Sequence, residues 1–156
     1  MHARMELEEF GKTAEDVANA LRSISKAVAA SGLDQGLTEL IKICASQQNG
    51  CAFCTQFHLN AARRLGVPGK KLDLVAVWRD AGIFTSQEKA ALAWTEALTA
   101  LSPESITDEV YAEVKKEFGA DKLAFLTSAI ATINAWNRIA MAFRFAPPIP
   151  QDHANE

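Results

Sequence analysis

Between its glycines and prolines, the chain repeats apolar residues every three to four positions, the spacing that lays a single stripe along a helix. The expected fold is therefore all-α: a single-domain bundle of about six to seven helices, the domain spanning residues 1–156. Thr13 with Asp16 marks a first helix whose stripe is Val17, Ala20, Leu21, Ile24, Ala27 and Val28, stopping near Gly32. A second begins near Asp34, carries Leu37, Leu40, Ile41, Cys44 and Gln48, and ends at the turn-forming pair Asn49-Gly50. A third runs from about Cys51 to Leu65 and is closed by Gly66, and Pro68 opens a fourth that reaches about Asp80. Thr85 with Glu88 forms a capping box for a fifth, and Thr107 followed by Asp108 and Glu109 opens a sixth that ends at Gly119. The last, about Asp121 to Phe143, is mostly apolar but interrupted by Asn134, Asn137 and Arg138, which reads as a buried helix and not a membrane span. The tail from Ala146 through Pro147, Pro148 and Pro150 cannot continue a helix, and residues 146–156 are expected to be mobile or docked on a neighbour.

A chain of 156 residues should remove roughly 70% of its unfolded surface from water, so it can build a core without disulfides or metals. Stability alone does not explain its three cysteines. The net charge of -3 and the lack of any basic run beyond pairs such as Arg63-Arg64 and Lys70-Lys71 argue against nucleic acid as a partner. Met1 to Phe10 is polar and acidic, with no basic patch leading into an apolar run, so no signal peptide is expected and the protein is placed in the cytoplasm. In a reducing compartment, a local cysteine pair points to catalysis or metal binding.

That pair lies in Cys51-Ala52-Phe53-Cys54-Thr55-Gln56-Phe57-His58. At about 100° per residue, Cys51, Cys54 and His58 fall within an arc of about 60° and share one helix face, with the pair in the first turn. Phe53 and Phe57 point elsewhere and are expected to anchor the helix in the core. Lowering a thiol pKa from about 8.5 to about 6.5 raises the thiolate about 25-fold at neutral pH, yet the weaker nucleophile returns roughly 6- to 10-fold. The net gain is several-fold only. A useful enzyme therefore needs proton delivery as well, typically worth about 10²–10⁴-fold, and His58, one turn beyond Cys54, is placed for it. His2 and His153 lie in the terminal tails.

Other readings compete. A zinc site could use Cys51, Cys54 and His58 but lacks the usual second ligand pair; haem attachment is excluded because Thr55, not histidine, follows the second cysteine. Two inert buried thiols remain possible for the pair. Glu39 is expected to pair with Lys42 at the surface, or, if its helix face packs on the cysteine helix, to orient His58. Cys44 reads as core, and Trp78, Trp94 and Trp136 as packing residues. No cofactor and no metal are called for.

Glu39, followed after eleven residues by Cys51-x-x-Cys54-x-x-x-His58, closely resembles the AhpD-like alkylhydroperoxidases of the carboxymuconolactone decarboxylase family. The likeness covers most of the chain, with a core at about 35–80, and extends to Trp78-Arg79 and to Asn134-Ala135-Trp136-Asn137-Arg138. It implies an all-helical fold and thiol-dependent reduction of hydroperoxides, with Cys54 as the peroxidatic thiol, Cys51 as the resolving one, and His58 with Glu39 in the proton relay. It also implies a dithiol, thioredoxin-like or lipoyl reductant and a homo-oligomer, trimeric or hexameric, with no membrane partner. One departure is Phe53, where such members carry a further histidine; a slower reaction of the same class is expected. The alternatives are decarboxylation of a lactone acid by His58 and Glu39 without thiol chemistry, and a non-catalytic helical oligomerisation or metal-binding module.

Overall fold

The computed structural model describes residues 2–150, and its elements are helical throughout: α1 (Leu7–Thr13), α2 (Glu15–Ala30), α3 (Gln35–Asn49), α4 (Ala52–Arg64), α5 (Gly69–Leu74), α6 (Trp78–Ala81), α7 (Ser86–Ala100) and α8 (Asp108–Phe143). The expected all-α class is what is found. Three of the predicted starts are made by side-chain caps on backbone amides: Asp34 accepts from Leu37 N–H, Thr85 and Glu88 close a reciprocal capping box, and Thr107 accepts from Val110 N–H. Gly50 takes the left-handed conformation, φ 73°, that turns the chain from α3 into α4. Within α8, Gly119 at φ 69° and ψ 169° breaks the helix, so the predicted sixth and last helices are two segments meeting there.

Other expectations are corrected. Thr13 caps nothing: it ends the short helix α1, which the sequence reading did not see, and α2 starts at Glu15 without a side-chain cap. The stretch after Pro68 is three short pieces, α5, a 3-10 turn over Val75–Val77 and α6, because each presents too few turns to hold a continuous helix against its neighbours. The α2 stripe faces outward in the single chain, Val17 being 52% and Ile24 40% exposed, while Ala18 and Val28 are buried against the rest. Periodicity shows that a helix has an apolar side; it does not show what covers it. The tail as far as Pro150 is exposed but tied down where Asn60 Nδ2 donates to Pro148 O at 2.8 Å; residues 151–156, with His153, lie outside the described residues.

α3 is the central rod. It packs on α4, α7 and α8, and its buried residues run around most of its circumference, from Leu37, Leu40 and Ile41 to Ile43, Cys44 and Ala45. On one side Ile41 joins Leu126 and Ile130 of α8 and Trp94 of α7; on the opposite side Ile43 and Cys44 meet Val75 and Trp78. A third cluster joins Ala45, Cys51 and Cys54 to Ile133 and Ala140 of α8 and Phe10 of α1. The two cysteines thus sit where α3, α4, α8 and α1 converge. Among the described residues no helix is long and apolar enough to cross a membrane.

Replacing fully buried Leu126 by alanine removes the apolar seam between α8 and α3. The expected loss is about 2–5 kcal/mol of unfolding free energy, read as a lower urea midpoint with an unchanged slope.

Candidate active site

The segment after Gly50 places Cys51 just outside α4, not on its wheel. Cys51 is the N-cap, with extended backbone (φ -84°, ψ 100°), and its sulfur turns back to accept from the Cys54 N–H at 3.3 Å. Its own N–H donates to Ser46 O at 2.8 Å and its carbonyl accepts from Thr55 N–H at 3.0 Å. The Cys54 amide, one of the first-turn groups that lack an intrahelical partner, therefore faces sulfur. Cys54, one turn into α4, opens instead onto a cavity of about 530 Å³, whereas Cys51 does not line it. The expectation that both sulfurs share one helix face is corrected on this point.

The same cavity receives His58 and Glu39. Glu39 is 8% exposed, and its two oxygens are divided: Oε1 accepts from Lys42 Nζ at 2.8 Å and Oε2 meets His58 Nδ1 at 2.7 Å. The surface pair with Lys42 is therefore only half of what happens, because the second face of α3 does pack on α4 and carries Glu39 inward. Burial alone would raise the Glu39 carboxyl, but the hydrogen bond from His58, the imidazole's charge and Lys42 together outweigh it and hold the carboxyl below its ordinary value. A carboxylate on Nδ1 holds the ring in place and leaves Nε2 free toward other partners.

The sulfurs are unequal. Cys51 is brought down to about 7, first by the hydrogen bond from the Cys54 thiol, against the penalty of burial, and further by the Cys54 amide, the Asn137 side chain and the Phe53 amide. Cys54 is pushed up by its hydrogen bond to Cys51, by burial and by the charge on Cys51. Their mutual hydrogen bond is the main cause of both shifts: it favours the charged form of Cys51 and the protonated form of Cys54. Cys44, apart from both, is pushed up to about 12 by burial and by Glu96, in keeping with its core reading.

The walls correct two further expectations. Phe57 does not anchor α4 in the core: it is 43% exposed, stacks on Phe53 at 5.9 Å between centroids, and both rings line the cavity. Phe53 also meets Phe145 edge-on at 5.3 Å. Trp136 packs as expected, edge-on to Phe10, and also lines the cavity, while Trp78 and Trp94 are packing residues whose indole N–H groups donate to Glu96 and Thr127. The expected Glu39–Lys42 pair is present but half-buried, and Asn137, noted in the sequence only as an interruption of an apolar helix, is 1% exposed. An asparagine inside an apolar run was the available signal. Among the described residues no three His, Cys, Asp or Glu side chains come together in a way that could hold a metal ion.

An all-helical scaffold holding a sulfur pair beside a carboxylate-bound imidazole defines a thiol-bearing family, and the chain belongs to the carboxymuconolactone decarboxylase family, whose model matches residues 15–97. It is 35% identical over 112 residues to the uncharacterized protein YdfG of Bacillus subtilis, covering 72% of this chain and 76% of that one. It is 30% identical over 121 residues to the uncharacterized protein YnjA of Escherichia coli, covering 77% of this chain but only 63% of that longer relative. Among solved structures it is similar to a protein of unknown function from Agrobacterium tumefaciens described as a candidate antioxidant defence protein AhpD. That likeness has a TM-score of 0.88 and 32% identity, over 96% of this chain and 100% of that one. The debrominase Bmp8 shares the fold at a TM-score of 0.78 and 22% identity, over 87% and 73% of the two chains. The resemblance to AhpD-like members of the family is therefore established.

In the reduced protein, ultraviolet absorbance should show one thiolate per chain forming with a midpoint near 7, lost in Cys51→Ser, with Cys44 silent through that range. Because the folded Glu39 value lies below the ordinary 4.5, its contribution to stability is complete above that value and is lost as pH falls through the lower, folded one. A Glu39→Gln protein should accordingly show a shallower loss of thermal stability on acidification below about pH 4.5.

Proposed function

We propose that the protein is a thiol-dependent peroxidase that reduces organic hydroperoxides through Cys54 and Cys51, with His58 and Glu39 as the proton relay. The observation that carries this reading is that Cys54, His58 and Glu39 face one cavity while Cys51 waits behind Cys54, hydrogen-bonded to it. The volume and the aromatic walls suit a hydroperoxide with a sizeable apolar group; hydrogen peroxide alone would leave most of about 530 Å³ unused.

The steps balance as follows. The Cys54 sulfur attacks the outer oxygen of the hydroperoxide, the O–O bond breaks, and Cys54 becomes a sulfenic acid as the alkoxide leaves. The alkoxide takes a proton from His58 Nε2, which recovers one from the hydrogen that Cys54 gives up, so an alcohol is released. The Cys51 thiolate then attacks the Cys54 sulfur and expels hydroxide, which solvent protonates. Two electrons have passed from the sulfur pair to the peroxide bond, and a disulfide remains. A dithiol, thioredoxin-like or lipoyl reductant of a reducing cytoplasm would return the pair to thiols. Glu39 holds the imidazole for its proton transfers, and Phe53, standing where similar proteins carry histidine, leaves His58 as the sole imidazole lining the cavity among the described residues, consistent with a slower reaction.

The lactone decarboxylase reading has no use for a sulfur that is preorganised as an anion one turn from another thiol, so the thiol reading is preferred. In the peroxidase reading the outward stripe on α2, with Val17 and Ile24, is the surface for self-association. A trimer or hexamer in sedimentation that Val17→Glu shifts toward monomer is the expected result.

Stoichiometric cumene hydroperoxide should convert the reduced protein to a species lighter by two hydrogens, reversed by dithiothreitol, as read by intact mass. Cys54→Ser should consume no peroxide, Cys51→Ser should gain oxygens on Cys54 instead of a disulfide, and His58→Gln should slow the reaction by about 10²–10⁴-fold. Undiminished turnover by Cys54→Ser would overturn the assignment.

A further inference from the structure

The walls of the cavity differ in what they bring to it. Its floor is α8, through Ala129, Thr132 and Ile133, and one wall is α3 with α4, which carry Glu39, Cys54 and His58. The other wall is α2, which packs on α8 and α1; Arg22, Ser25 and Ala29 of α2 and Leu7 of α1 line the cavity from there. The reacting sulfur and Arg22 therefore stand on different walls.

Among the described residues Arg22 forms no ion pair, whereas Lys42, the other lysine or arginine lining the cavity, is held by Glu39. One turn away on its own helix lie Ala18, Asn19, Ser25 and Lys26, none of them acidic. The Arg22 side chain makes one long hydrogen bond, from Nη1 to Asn19 Oδ1 at 3.4 Å. Its Nη2 rests against α1, where a Cβ on Gly11 would stand 3.6 Å away. Leu7, one turn before Gly11, lines the cavity, so the guanidinium sits at the α1 rim. Arg22 also lies about 140–160° around α2 from Val17 and Ile24, so a partner seated on that outward stripe leaves it open.

The hydroxyls of the cavity do not compete for an anion. Thr38 and Thr132 donate their hydrogens to main-chain carbonyls, Gln35 O at 2.8 Å and Ser128 O at 2.7 Å, and keep only lone pairs to offer. The cavity thus combines aromatic and aliphatic walls, a carboxylate already bound by Lys42 and His58, and a guanidinium with donors to give. An apolar molecule ending in an anion complements that set; a neutral one gains nothing from the guanidinium, and a cation is repelled. A single guanidinium, able to make two parallel hydrogen bonds, matches a carboxylate, whereas a phosphate dianion would keep most of its charge unpartnered.

We infer that the cavity takes the hydroperoxide of an organic acid, its carboxylate received by Arg22 at the α1 rim while the peroxide group meets Cys54 and the apolar body lies along Phe53, Phe57 and Trp136. This deepens the peroxidase reading and rests on it. The O–O bond breaks, Cys54 is oxidised and two electrons pass to the peroxide by the same step; the alcohol released is a hydroxy acid whose carboxylate is unchanged.

A matched pair of substrates isolates the anion: cumene hydroperoxide, and the same molecule bearing a para carboxylate. At about pH 7.5, where that carboxylate is ionised, the wild type should favour the acid about five- to tenfold in kcat/KM, the difference lying in KM. Arg22→Gln should bring the ratio to about one, Arg22→Lys should retain part of the preference, Arg22→Glu should invert it, and added salt should narrow it in the wild type. A second readout needs no turnover. In the Cys54→Ser protein, titration calorimetry should show para-isopropylbenzoate binding more tightly than the neutral para-isopropylbenzamide, and adding Arg22→Gln should remove the difference. Failure of the acid to bind, equal binding of acid and amide, or a preference that Arg22→Gln leaves intact sinks the inference. A wild type that consumes neither peroxide defeats the peroxidase reading and leaves the anion site to be decided by calorimetry.

Discussion

The site follows from the burial of α3 on nearly every side. α3 keeps Gln35, Gln47 and Gln48 in water, but Glu39, Ser46 and Asn49 lie on its buried and half-buried faces and must find partners within the protein, which they do at or beside the sulfur site. Glu39 takes His58 and Lys42, Ser46 takes Asn137 and supplies the carbonyl that receives the Cys51 amide, and Asn49 joins Asn137 to Asn134. The cost of orphaning any of these groups, about 1–3 kcal/mol for a neutral one and more for a carboxylate, is what keeps the arrangement in place. Packing and chemistry are the same set of contacts here.

The division of labour between the sulfurs has a simple electrostatic cause. Cys51 occupies the N-cap, where a backbone amide, a side-chain amide and a thiol all donate toward it, and it is closed off from the cavity. Cys54 is one turn inside the helix with its own amide turned to Cys51, and it meets the cavity. The contacts favour negative charge on the sulfur that does not line the cavity and disfavour it on the sulfur that does.

Much of the frame was legible because it depends on local chemistry. Asp34, Thr85 with Glu88, Thr107, Gly50 and Gly119 announce ends and turns through bonds made within a few residues, and the structure puts ends or breaks at each. Thr13 carried the same signature and failed, since the preceding α1 claims it as its last residue. Phe57 reads as a packing residue, and the lining role of Trp136 goes unseen, for want of any local sign that a cavity lies beside them. Cys51 defeated the helical wheel for a related reason: one residue outside the helix, its side chain no longer obeys the wheel's angles.

By itself the sequence determined that the chain is helical, where most of its helices stop, and that two cysteines and one histidine lie within a turn or two of each other, because covalent spacing and hydrogen bonds between near neighbours suffice for all of that. Only the tertiary structure decided that Glu39 turns inward to the imidazole and not outward to solvent, which sulfur lines the cavity and which does not, and that an asparagine of α8, 91 residues away in the chain, meets Ser46 of α3. Those outcomes depend on which helix faces meet, and that is set by the competition of all apolar surfaces for cover, a property of the whole chain that no local pattern contains.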